Sequence, residues 1–79
     1  MEPSGTVTAV GASSVTIKTS AGTTTYKVTS SSDIDKNGEA TLSDIKVGDA
    51  VRFDTDTVNG AKVIDKLHAG SETLDRPAR

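Results

Sequence analysis

Short runs in which a β-branched residue alternates with a polar one, each closed by glycine or a Ser/Asn cluster, restrict this chain to a small sheet. Thr6-Val7-Thr8-Ala9-Val10 directs Val7 and Ala9 to one face, and Gly11-Ala12-Ser13 turns the chain before Val15 and Ile17 resume the alternation. Ser20-Ala21-Gly22-Thr23 is the next turn, and Thr24 to Thr29 form a third strand with Tyr26 and Val28 inward. Three consecutive antiparallel strands make a meander. After a long interruption, Ala50 to Thr55 read as a fourth strand with Val51 and Phe53 inward, and Asn59-Gly60 is a strong hairpin signal before Ala61 to His68 return as the fifth.

The interruption, Ser32 to Asp49, holds the densest cluster of carboxylates. In its second half Thr41 suits an N-cap, Asp44 takes the capping-box position, and Leu42 and Ile45 are spaced to face one core. Gly48 suits the end of this helical turn, where positive φ is needed. The plan is all-β: a small five-stranded antiparallel Greek-key barrel, OB/SH3-like, with one short helical turn between strands 3 and 4. Closure matters because Thr/Val-rich strands would otherwise expose pairing edges. The domain is expected over 5–69, with a disordered N-terminus over 1–4, where Pro3 lacks a ladder donor, and a flexible tail over 70–79.

A chain of 79 residues without cysteine forms one small domain. At that size folding buries only about 60% of the accessible surface, with no disulfide or thiolate metal site to add to the core. Each inward residue therefore matters. In the last hairpin, a one-residue bulge is expected to set Phe53 opposite Leu67 and Thr57 opposite Val63, whereas a regular ladder from a two-residue turn would set Phe53 against Lys66.

A net charge of −2 with interspersed signs lacks the footprint of a partner for nucleic acid or anionic membrane. No apolar run approaches the ~18 residues of a membrane span, so membrane insertion is not expected. No signal-peptide pattern precedes the domain, which leaves a cytosolic protein or a mature or excised piece that is extracytoplasmic (periplasmic or secreted). An OB-type nucleic-acid-binding domain is one alternative, since such barrels stack bases on aromatics in a basic groove. Here Tyr26 and Phe53 are assigned to the core, and Lys18, Lys27, Lys46, Arg52, Lys62 and Lys66 are interleaved with acids.

The central loop offers a second alternative, a calcium-binding module. Asp33, Asp35, Asn37 and Asp44 stand where a twelve-residue calcium loop places side-chain oxygens, Gly38 stands at its sharp turn, Glu39 would lend a carbonyl and Thr41 fills a further ligand position. Asp44 is shorter than the usual glutamate, and the incoming segment is strand-like, so no true EF-hand is present. The competing reading is a tight turn at Lys36-Asn37-Gly38 with solvated carboxylates around it. Calcium is the one cofactor the sequence brings into question.

No catalytic residue is assigned. His68, the single histidine, has no serine or carboxylate partner placed by sequence. Glu39, Asp54, Asp56 and Asp65 could supply paired acids, but acids spaced by two on a strand form its solvated face.

Gly-Thr-Val-Thr-Ala-Val (5–10), Val-Thr-Ile-Lys-Thr (15–19), the Asn37-Gly38 turn and Leu-Ser-Asp-Ile-Lys-Val-Gly-Asp-Ala-Val (42–51) resemble a family of bacterial small-barrel domains of unknown function. That family occurs mainly in exported and lipid-anchored proteins, and the resemblance spans 5–67. The first hairpin and Ile45 to Phe53 are also similar to the periplasmic copper and silver chaperone barrels. Those bind a soft monovalent metal with one His, two Met and a capping Trp. Here Lys18 follows Val15-Thr16-Ile17, Met1 is the only methionine and tryptophan is absent. Thioethers select Cu(I), so copper binding is not expected. The sequence is thus read as a non-enzymatic structural or interaction module, with a protein partner or self-association.

Overall fold

The structure, a computed structural model, describes residues 3–70. The assignments made for Met1, Glu2 and 71–79 lie outside the described residues. The chain runs β1 (Ser4–Val10), β2 (Ser14–Thr19), β3 (Gly22–Lys27), β4 (Asp33–Lys36), one 3-10 turn (Leu42–Asp44), β5 (Ala50–Val58) and β6 (Ala61–Ala69). The meander β1-β2-β3 forms as expected, and β5 lies antiparallel to β1 and to β6. The ring closes where β6 meets β3 at Lys27 and Val63, in parallel. Five strands cannot alternate direction all the way around a closed ring. One parallel junction is therefore required, and the barrel is mixed rather than purely antiparallel.

Sequence reading did not anticipate β4. It continues the line of β3 along the same edge of β6, pairing Asp33 with Lys66 through Lys36 with Ala69. Between the two contacts Ser32 Oγ donates to the Ile64 carbonyl, so that edge stays hydrogen-bonded across the break. A second difference is at Pro3: it has no N–H to give, but its carbonyl accepts from Phe53 N at 3.0 Å, and β1 begins at Ser4, opposite Arg52.

The interior is apolar throughout: among the described residues no polar or charged side chain is buried. Val7, Val15, Ile17, Ile45, Val51, Phe53, Ile64 and Leu67 form its centre, with Tyr26, Val28 and Leu42 packed at its margin. Ala9, expected inward, is exposed. A bulge between Val7 and Ala9 shifts the register so that Val10 returns to the core instead. Gly5 is required by close approach rather than by φ: a Cβ there would lie 2.5 Å from the Lys18 carbonyl oxygen across the β1–β2 crossing.

In the last hairpin Asn59 and Gly60 both have positive φ, as a two-residue turn demands, and pair Val58 with Ala61. Thr57 therefore faces Lys62, not the Val63 expected. The bulge lies deeper, between Asp54 and Thr55 on the β5 side, where β6 passes over Asp65. It still delivers the expected Phe53–Leu67 pair. It also changes the phase of β6, which buries Val63 and Ile64 in succession, one against the β3 junction and one in the core.

The turn ahead of β5 is locked twice. Gly48 N donates to the Val7 carbonyl at 2.8 Å and Val7 N to the Asp49 carbonyl at 2.9 Å, which seats the turn on β1. Asp49 Oδ2 accepts from Lys46 N at 2.9 Å and from the Lys36 ammonium at 3.0 Å, and that ammonium also donates to the Asp44 carbonyl at 2.7 Å. The Lys46 N–H holds the Asp49 carboxyl below its ordinary value, aided by the Lys36 charge, while partial burial acts the other way. The Thr41–Asp44 capping box also forms, with Thr41 N donating to Asp44 Oδ2 at 2.9 Å.

Ile45→Ala should cost about 2–5 kcal/mol in denaturant unfolding. Thr8→Ala, at an exposed bulge position, should cost below about 0.5 kcal/mol. Asp49→Ala should cost about 1–2 kcal/mol at neutral pH. Because folding lowers the Asp49 pKa, its linked stability is full above the unfolded value of 3.8 and is lost as pH falls through the folded value. The acid limb of a stability–pH profile should accordingly flatten below pH 3.8 in Asp49→Ala.

Candidate functional site

Among the described residues the buried side chains are apolar, and the sheet register organises charge on the outer surface. Inward residues Val51, Leu67 and Ile34 fix the phase of β5, β6 and β4, so their sequence neighbours Arg52, His68 and Asp35 point outward. Arg52 pairs with Ser4 on one side and His68 on the other, and His68 pairs with Asp35. The Asn37-Gly38 turn then folds the chain back so that Glu39 bridges Asp35 in antiparallel sense. One lateral row thus reads Ser4, Arg52, His68, Asp35, Glu39. A second row, Asp54, Lys66, Asp33, runs beside it.

At the centre of the first row His68 Nδ1 lies 3.0 Å from Asp35 Oδ2. An ionised carboxylate only accepts, so the proton of this contact is on Nδ1, and Nε2 is the ring nitrogen left for a ligand. Sequence reading gave His68 no carboxylate partner. The contact joins residues 33 positions apart through parallel pairing of a four-residue strand, and no local pattern announces that. The row's hydroxyl, Ser4, is two strands from His68, about 10 Å at ordinary strand spacing. The arrangement orients an imidazole and displays charge.

The ends of the row differ. Among the described residues neither Arg52 nor Glu39 has an ion-pair or side-chain hydrogen-bond partner. Arg52 and His68 border a groove of about 590 Å³ lined mainly by small residues, among them Ser4, Gly5 and Thr6 of β1, with Val51 the larger apolar one. The groove's Asp49 is already held by Lys36. At the other end the Asn37–Gly38–Glu39 turn is exposed, with Asn37 at φ 59°.

The residues of the calcium-loop spacing fall into separate places. Asp33 and Asp35 lie outward on β4, Asn37 occupies the hairpin turn, Asp35 and Glu39 are neighbours, and Thr41 and Asp44 are bonded to each other. Among the described residues no three His, Asp or Glu side chains converge on one point. A cation already serves this loop: the Lys36 ammonium lies between the Asp44 carbonyl and the Asp49 carboxylate. Of the aromatics considered for base stacking, Phe53 is buried and Tyr26 packs on it at 5.4 Å between ring centroids. Asp54, Asp56 and Asp65 are all exposed. Asp56 Oδ1 accepts from Thr57 N at 2.8 Å.

No family model matches the chain, and a search of curated protein sequences finds no match. Among solved structures, the crystal structure of Ag(I)CusF is similar, with a TM-score of 0.67 over 87% of this chain and 95% of that one. Identity is 16%, so the likeness is one of fold. The donors a silver(I) ion favours do not fit here: the chain has no cysteine and one methionine, and its one histidine is engaged by Asp35. For calcium, thermal melts in EDTA and in several millimolar calcium should coincide for the wild type and for Asp33→Ala/Asp35→Ala. A calcium-dependent rise confined to the wild type would establish an ion site in the loop.

Proposed function

We propose that this protein is a non-enzymatic interaction module that works outside the cytoplasm and engages a protein through the outer face of β5, β6 and β4. The observation that carries the reading is the sorting of polarity. Every buried side chain among the described residues is apolar, whereas Arg52, His68 and Asp35, with Asp54, Lys66 and Asp33 beside them, stand in register on one external face. A barrel filled in this way has no internal chamber for a substrate, and its specificity must come from surface pattern. The resemblance to exported bacterial barrels supports the location, and the fold likeness to CusF is consistent with a small barrel working as a separate unit.

The reading makes a directional prediction. A photo-crosslinking residue at position 54, on β5, should yield a discrete protein adduct in cells that make this protein. The same residue at position 25, exposed on β3, should not. Equal adducts from both positions, or none from position 54, would overturn the reading.

A further inference from the structure

We infer that the groove beside Arg52 and His68 holds the C-terminal residue of a partner polypeptide, taking its carboxylate on Arg52 and its peptide N–H on His68. The inference rests on the interaction-module reading and names the part of the partner that is bound. Two side chains with different requirements stand next to each other at the edge of the groove. Arg52 and His68 are directly opposed on β5 and β6, which sets their β-carbons about 5 Å apart.

Each requirement has its own cause. Arg52 is exposed and has no ion-pair or side-chain hydrogen-bond partner among the described residues, so the planar fork of guanidinium donors is open to a carboxylate. Asp49, the carboxylate that also lines the groove, does not compete for it, because Asp49 is held by Lys46 N and the Lys36 ammonium. His68 differs. Its Nδ1–H is given to Asp35 at 3.0 Å, so in the neutral ring Nε2 carries a lone pair and no proton. That nitrogen requires a donor. The ligand must therefore present an anion and a hydrogen-bond donor within about 5 Å of each other.

A polypeptide terminus meets both demands, since its carboxylate and its last N–H are borne on the same α-carbon. An Asp or Glu side chain brings acceptors alone and would set an oxygen against the Nε2 lone pair. Monohydrogen phosphate carries both an anion and a donor, but it has nothing to place in the rest of the groove. Beyond the two side chains that groove continues over the paired small residues Thr6 and Ala50 to the turn at Gly48 and Asp49. Its volume of about 590 Å³ lies among those of ligand pockets and leaves room for the terminal side chain.

The test is an NMR titration of the full chain, in phosphate-free buffer, with an acetylated alanine tripeptide bearing a free carboxylate, taken to about 10 mM so that a Kd of about 1 mM is detected. Amide shifts should cluster at Gly48, Ala50, Arg52 and His68 and leave Thr25, on β3, unmoved. Comparison probes separate the sources of the anion: the same tripeptide as its amide, an amidated tripeptide with glutamate in the middle, and inorganic phosphate. Each should bind at least about tenfold more weakly. Arg52→Gln should abolish the groove shifts, and Arg52→Lys, which keeps the charge without the fork, should retain part of the binding. His68→Phe should reduce the preference for the terminal carboxylate over the glutamate probe, because only the former uses the Nε2 acceptor. The spectrum of each variant reports its fold directly. Absence of groove shifts, equal binding of any comparison probe, shifts that survive Arg52→Gln, or an unchanged preference in His68→Phe would overturn the inference. A position-54 adduct that persists in those cases would leave the interaction-module reading in place.

Discussion

The turn from Lys46 to Asp49 is the constraint on which the rest of this barrel depends. It is short and exposed, yet it joins three elements distant in sequence. Its backbone is seated on β1 through Val7, its carboxylate is held by the Lys36 ammonium at the end of β4, and β5 begins one residue later. Without it, β5 has no fixed origin relative to β1, and the Ser4–Arg52 register could slip. A slip of one residue would turn Val51 and Phe53 outward and Arg52 inward, which a small core could not survive. The Ile-Lys-Val-Gly-Asp segment is thus architectural. Gly48 at φ 99° permits the turn, and Asp49 closes it.

β6 is the second organising element, because one strand completes the ring and also carries the outward face. One edge pairs with β5 throughout, and the other is shared in sequence by β3, the Ser32 hydroxyl and β4. Such sharing requires β6 to bend, and the bulge at Asp65 provides the bend. The consequence is local and chemical. Beyond the bulge the alternation resumes with Leu67 and Ala69 inward, which leaves Lys66 and His68 outward against Asp33 and Asp35. A bulge nearer the turn, ahead of a Thr57–Val63 pair as expected, would give the same pairs in this lower half. The sequence therefore led to Phe53–Leu67 correctly while misplacing the irregularity.

Much of the fold is legible because its determinants are local. The alternation of Val7, Val15 and Ile17, the Asn59-Gly60 turn and the Thr41–Asp44 box are read within windows of a few residues, and each forms. What escaped is non-local. β4 is four residues long, carries one apolar side chain, Ile34, and is recognisable only once β6 is beside it. The same residues, Asp33, Asp35 and Asn37, match an ion-binding spacing, and one-dimensional spacing cannot distinguish a loop that wraps an ion from a strand that ends in a tight turn. The parallel junction of β3 and β6 follows from ring closure by an odd number of strands, a property of the assembled sheet. Ala9 shows the limit even of local reading, since the bulge preceding it shifts the phase by one residue.

On the proposed reading, a fold with no buried polar side chain among its described residues specifies a partner through the register of its surface. An isolated surface ion pair contributes little, because water and salt screen it and ordering long side chains costs entropy. Register changes this. When β5, β6, β4 and the returning Glu39 fix Arg52, His68, Asp35 and Glu39 in line, the pattern is ordered by the core residues beneath it rather than by the side chains' own contacts. At the centre of the row His68 and Asp35 are engaged with each other, which leaves Arg52 and Glu39 as the ends open to a partner. An incoming surface must then match two positions about 14 Å apart, and mismatched partners meet like charge at one of them. The burial of Val51, Leu67 and Ile34 sets which side chains face out and how far apart they stand, so on that reading the core acts on specificity without touching a partner.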